Sequence, residues 1–125
     1  MRSYEDLSFY RDMYALTLDL YPVLARFPAE ERYGLAQQMR RAAVSFLSNI
    51  AEGSGRATHG EYANSVSNAS GSGAELDCQI KLSRDLGFLP ADLAASFLER
   101  LTSIRRRTHL FHAWLKRNPE VRQVR

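Results

Sequence analysis

Cysteine is nearly absent: Cys78 is the one thiol in 125 residues, so no intrachain disulfide forms and no second thiolate exists for a zinc knuckle or redox pair. No apolar run approaches the ~18 residues a membrane span needs. Arg2, Tyr4, Glu5 and Asp6 follow Met1 with no apolar core behind them, so no secretory signal is read there. A cytoplasmic protein without membrane contact is the expectation. Proline and glycine are sparse, at four and seven residues, and five of them, Pro28, Gly53, Gly55, Gly87 and Pro90, sit at breaks in the pattern. What is present, 45% hydrophobic and 25% charged residues, is too apolar for a disordered chain and long enough to bury one core. Residues 1–125 are therefore read as a single domain.

The charge is uneven. From Arg105 to Arg125 the cations Arg105, Arg106, Arg107, Lys116, Arg117, Arg122 and Arg125 face Glu120 alone, a net +6, and the first 104 residues are left at −3. A basic end of this kind suits an acidic partner, nucleic acid first among them. It equally suits a helix whose dipole is complemented by cations in its last turns.

Breaks fall at Phe27-Pro28, at Gly53-Ser54-Gly55 and at Gly87-Phe88-Leu89-Pro90, and the period between them is helical. Three breaks divide the chain into four helices, at about 4–26, 29–52, 58–86 and 90–117, with a basic tail at 118–125. Pro28 suits the first turn of the second helix and Gly53 the position just past its end. Thr58 and Glu61 read as a capping box opening the third, Gly87 as its left-handed cap, and Pro90 as the start of the fourth. Connections this short make neighbours antiparallel. The fold class is all-α, an up-down-up-down antiparallel four-helix bundle.

The predicted core stripes are Leu35, Met39, Ala42, Ala43, Phe46 and Ile50 on the second helix and Leu93, Phe97, Leu101, Ile104, Phe111 and Leu115 on the fourth. The third carries Tyr62, Val66, Ala69, Gly73, Leu76 and Ile80, beside a row of small residues, Ala63, Ser67, Ala74 and Cys78. Gly71 and Gly73 lie inside it; close approach by a neighbouring helix is the favoured reason, and a locally loosened turn used for binding is the alternative. The first helix has two apolar arcs. One is Phe9, Leu16, Leu20 and Val23; the other is Tyr10, Tyr14, Leu18 and Tyr21, with Met13 and Leu24 between. Its polar strip is too narrow for the outer helix of a monomer, so the tyrosine arc is the candidate oligomer interface. Pro22 removes a hydrogen bond to the Leu18 carbonyl and predicts a bend there.

No Glu-x-x-His pair supports a di-metal centre of the kind bundles carry. His109 and His112 stand among arginines without third and fourth ligands. Gly53-Ser54-Gly55-Arg56 follows a helix instead of a strand and lacks the lysine of a phosphate loop. Ser45, Ser48 and Ser54 have no histidine nearby in sequence to activate them. No catalytic set, metal or cofactor is called for.

Residues 27–56 read FPAEERYGLAQQMRRAAVSFLSNIAEGSGR. With Phe27-Pro28, Glu31, Tyr33-Gly34-Leu35, Gln38, Arg40-Arg41-Ala42-Ala43-Val44-Ser45, Asn49-Ile50-Ala51-Glu52-Gly53 and Arg56, this stretch closely resembles the signature of bacterial four-helix-bundle proteins encoded within intervening sequences of 23S ribosomal RNA genes. The likeness continues more weakly through Glu61-Tyr62, Ala69, Gly71-Ser72, Glu75-Leu76 and Leu86-Gly87, and Asp6-Leu7 matches the family's opening. The resemblance implies a bundle that assembles as a ring or barrel, commonly of five subunits, with no established enzymatic activity. The related accessory proteins of diversity-generating retroelements form pentameric barrels that bind a reverse transcriptase and nucleic acid through basic surfaces. By that analogy Arg40, Arg41 and Arg56 are possible phosphate contacts, although Arg40 and Arg41 equally suit pairing with carboxylates across a subunit interface. The chain departs from the pattern at Leu47, where the family usually has proline, and at Ser65, Asn68 and Gly73.

The expectation is a non-enzymatic homo-oligomeric scaffold, a pentamer by the resemblance, binding RNA or a nucleic-acid enzyme such as a reverse transcriptase. Its contacts would be Arg105, Arg106, Arg107, Lys116 and Arg117, assisted by Arg40, Arg41 and Arg56. The alternative is a structural or regulatory homo-oligomer acting through protein contacts alone.

Overall fold

The computed structural model describes residues 3–122. A 3-10 turn at Tyr4–Asp6 leads into α1 (Ser8–Leu24), a second at Ala29–Glu31 precedes α2 (Leu35–Ser54), and α3 (His59–Asp85) and α4 (Ala91–Arg117) follow. Each helix packs against its neighbours in chain order and α4 closes onto α1, so α1 lies diagonally across the bundle from α3, and α2 from α4. Among the described residues there is no strand, only an isolated bridge between Thr58 and Arg122.

The helix ends correct the sequence reading in four places. The first helix begins at Ser8 because Leu7 is extended, and Ser3 caps the short turn before it through the amide of Glu5. It stops at Leu24, two residues after Pro22. Pro28 opens a 3-10 turn, and α2 proper starts only at Leu35, whose amide donates to Glu31 Oε1 at 3.0 Å. Glu31 thus acts as a cap for the first turn of α2. Gly53 is inside α2 and buried: a Cβ there would lie 2.6 Å from Tyr62 Cδ1 and 2.7 Å from Ser65 Cβ, so its role is close approach to α3.

The other ends agree with their residues. Thr58 Oγ1 accepts from the Glu61 amide at 3.2 Å, although the Glu61 carboxylate takes the Thr58 hydroxyl instead of returning to the Thr58 amide. Gly87 has φ +80, its amide reaches the Arg84 carbonyl, and the Phe88 amide reaches that of Ser83. This is the Schellman pattern, which a left-handed residue makes possible.

Every stripe residue of α2 and α3 is buried, as are Phe97, Leu101, Ile104 and Leu115 of α4; Leu93 and Phe111 are half-buried against the same core. Phe9, Phe46, Tyr62, Phe111 and Trp114 form a chain of ring contacts at one end of the bundle, with centroids 5.3 to 6.4 Å apart. The expected reason for the α3 glycines is not found within the subunit. A Cβ at Gly73 would meet Arg105 Cγ and Phe46 at ordinary distances, and at Gly71 nothing lies within 4 Å. Gly71 therefore carries its helix cost, about 1 kcal/mol relative to alanine, without compensating contact in its own chain.

Candidate interaction faces

The three arginines in succession on α4 point in three directions, as 100° per residue requires. Arg105 turns toward α3, 3.7 Å from Asp77 Oδ2, with its Nε buried and lacking a hydrogen-bond partner. Arg107 turns toward α1, where it reaches Asp12 Oδ2 at 2.8 Å and Ser8 Oγ at 2.9 Å, and it also holds Ser103 of its own helix. Arg106 faces solvent, and Leu110, Lys116 and Arg117 are exposed further along the helix. Arg106, Lys116 and Arg117 form no ion pair among the described residues. His112 is held below the ordinary histidine range, first by partial burial and then by the Lys116 and His109 charges.

Arg40, Arg41 and Arg56 lie on or beyond α2, diagonally opposite α4, so a single subunit does not bring them together with the α4 cations. Arg40 donates to the Arg32 carbonyl at 3.1 Å and stands over the Tyr21 ring, 6.0 Å from its centroid. Arg41 is exposed, and Arg56 pairs with Glu52 one turn back. The basic tail is not a free end throughout. Pro119 and Val121 present their carbonyls to the amides of Gly60 and His59, at 2.8 and 3.0 Å, and so cap the first turn of α3. Residues 123–125, including Arg125, lie outside the described residues.

The tyrosine arc stands in the open. Tyr14 is 51% exposed, Leu18 63% and Tyr21 41%, while Tyr10 is half-buried against Tyr4 and Tyr14. Burial, and then the neighbouring Tyr4, Tyr14 and Glu5, raise the Tyr10 hydroxyl above its ordinary value. The arc continues across α2 through Leu47 and Val44, which line shallow depressions with Tyr14, Leu18 and Tyr21. Val44 and Leu47 were missed because they lie off the α2 core stripe, and their exposure or partial burial appears only in the packed structure. On its other side α1 is ionic, with Asp12 to Arg107 and Asp19 to Arg100, both at 2.8 to 2.9 Å.

Among the described residues no group of three or more His, Cys, Asp or Glu is placed to hold a metal ion. No described helix is long and apolar enough to cross a membrane.

Comparison with known proteins gives a family and a fold. The family model of 23S rRNA-intervening sequence proteins matches residues 5–109. A crystal structure from Bacteroides thetaiotaomicron VPI-5482, of a protein of unknown function in the S23 ribosomal protein family, superposes with a TM-score of 0.72 at 15% identity, over 86% of this chain and 98% of that one. No curated protein matches the chain significantly.

Proposed function

The chain belongs to the family of 23S rRNA-intervening sequence proteins, and from that premise we propose that it is a non-enzymatic, homo-oligomeric scaffold of the cytoplasm whose assembled form binds RNA, alone or together with a nucleic-acid-processing enzyme such as a reverse transcriptase. The observation that carries the proposal is the exposed apolar surface of Tyr14, Leu18, Tyr21 and Val44. Large apolar side chains contiguous on one face mark an interaction site, and a ring of copies, five by the resemblance, covers them. Assembly also repeats Arg106, Lys116 and Arg117, which form no ion pair among the described residues, once per copy. Weak phosphate contacts then add through multivalency, each contributing close to one unit of slope in log K against log salt.

The purified protein is expected to scatter light as a multimer of the 14.2 kDa chain and to shift single-stranded RNA in a gel at low salt. The informative variant replaces Arg106, Lys116 and Arg117 with alanine, because altering Arg105 or Arg107 also breaks an ion pair between helices. Weaker binding with a flatter salt slope and an intact multimer supports the reading. A monomeric wild type overturns the scaffold. Absence of RNA binding in an intact multimer favours the second reading, an oligomer acting through protein contacts alone. That reading draws support from Arg105 and Arg107, whose charges are spent inside the subunit.

A further inference from the structure

The apolar arc of α1 needs a cover, and the same chain presents a matching surface on the diagonal helix. We propose that Tyr14, Leu18 and Tyr21 of one copy pack into the row Ser67, Gly71, Ala74 and Cys78 on the outer face of α3 in the next copy; this rests on the self-association proposed above and names the surface that meets the arc.

Three observations carry it. The first is shape. Tyr14, Leu18 and Tyr21 are spaced four and three residues apart, and Ser67, Gly71, Ala74 and Cys78 four, three and four, so each set runs as one row along its helix. A row of large side chains fits a row of small ones when ridges pack into grooves. All four small residues are exposed and none is charged, although a helix turned to water ordinarily carries charge on that face. The second is Gly71. It lies in mid-helix with nothing of its own chain within 4 Å of the place a Cβ would take, so the flat surface there serves something outside the subunit. The third is charge. Arg11, Arg40 and Arg41 border the arc, with Glu5 beside Arg11, while on α3 the exposed Glu75 forms no ion pair among the described residues and the exposed Lys81 is paired with Asp77 of its own helix.

The topology then limits the assembly. Because α1 and α3 occupy opposite corners of the bundle, the two faces are different patches, and contact between unlike patches repeats head to tail, as a ring where the rotation closes and as an open filament where it does not. A two-fold dimer through the arc would instead place α1 against α1.

Two measurements test the pairing. Gly71→Met puts a long side chain where the subunit itself has room, so helical content and melting temperature are expected to hold while the light-scattering mass falls to that of a 14.2 kDa monomer. Leu18→Cys, oxidised under mild conditions with Cys78 in place, is expected to give a ladder of covalent multimers beyond the dimer, and adding Cys78→Ala abolishes the ladder. Wild-type mass in a folded Gly71→Met protein overturns the pairing. So does a disulfide dimer that persists in Leu18→Cys/Cys78→Ala, which would show α1 meeting α1. Absence of the ladder in an oligomeric Leu18→Cys protein overturns it as well, and this test stands even if Gly71→Met fails to fold. A monomeric wild type removes the self-association reading itself, whereas a multimeric wild type with either negative result removes only this pairing.

Discussion

Between α2 and α3 small polar side chains are taken out of water together with the large apolar core; between α1 and α2 large apolar ones remain in it. On the first seam Ser72 Oγ donates to Ser45 Oγ at 2.9 Å, Ser83 Oγ lies 3.3 Å from Met39 Sδ, and Gly53 lets the Tyr62 ring approach the α2 backbone. On the second, Tyr14, Leu18 and Tyr21 stand exposed beside Val44. The difference teaches that burial in this subunit does not follow the polarity of the residues alone: Ser72 and Ser83 are buried while Tyr14 and Leu18 are exposed. Where Gly53 brings α2 close to α3, the Tyr62 ring takes the space of the missing side chain, and the Ser72 and Ser83 hydroxyls find partners nearby. Where α1 sits against α2, its apolar surplus is left exposed.

The sharpest way to break the comparison is at Gly53. Gly53→Ala drives a methyl group into Tyr62 and Ser65, and overpacking of this kind is expected to cost about 3 kcal/mol, read as a lower urea midpoint with an unchanged slope. A negligible loss would mean that the α2–α3 seam is loose. Ser72→Ala is next. It removes one hydrogen bond of a part-buried pair and should cost about 1 kcal/mol in the same assay. On the far side of α1, Asp12→Asn dissolves the ion pair with Arg107, a surface interaction expected to be worth about 0.5 kcal/mol at low salt, with the difference from wild type closing as salt rises. The smallest effect on the subunit is expected at the arc. Tyr14→Glu should change its unfolding free energy by no more than about 0.5 kcal/mol, yet lower the light-scattering mass to 14.2 kDa. Loss of helical signal in that variant would place Tyr14 in the core and erase the contrast between the seams.

Much of the fold was legible because its signals are local. Gly87 after Asp85-Leu86, Thr58 three residues before Glu61 and the periodicity of Phe46 with Ile50 each depend on residues within a turn or two, and the structure follows them. The start of α2 was legible only in part: Pro28 and Glu31 mark a beginning, but the 3-10 turn at Ala29–Glu31 and the cap by Glu31 shift the α-helix to Leu35. For the candidate surfaces, the exposure of Tyr14, Leu18 and Tyr21 followed from a helix apolar over too much of its circumference. The fates of the three α4 arginines did not, because Arg105 and Arg107 meet carboxylates 28 and 95 positions away in the chain.

The sequence by itself determined four helices, their order, their core stripes and an apolar excess on α1, since period, caps and breakers act through neighbouring residues and the hydrophobic effect needs only a pattern. Tertiary structure alone decided which glycine sits at a helix crossing, Gly53 instead of Gly71 or Gly73, which α4 arginines pair with carboxylates of other helices, and that the Pro119 and Val121 carbonyls cap α3. Each of these depends on the separation and rotation of helices far apart in the chain, and a crossing distance or an ion pair between helices is set by the packing of both partners at once.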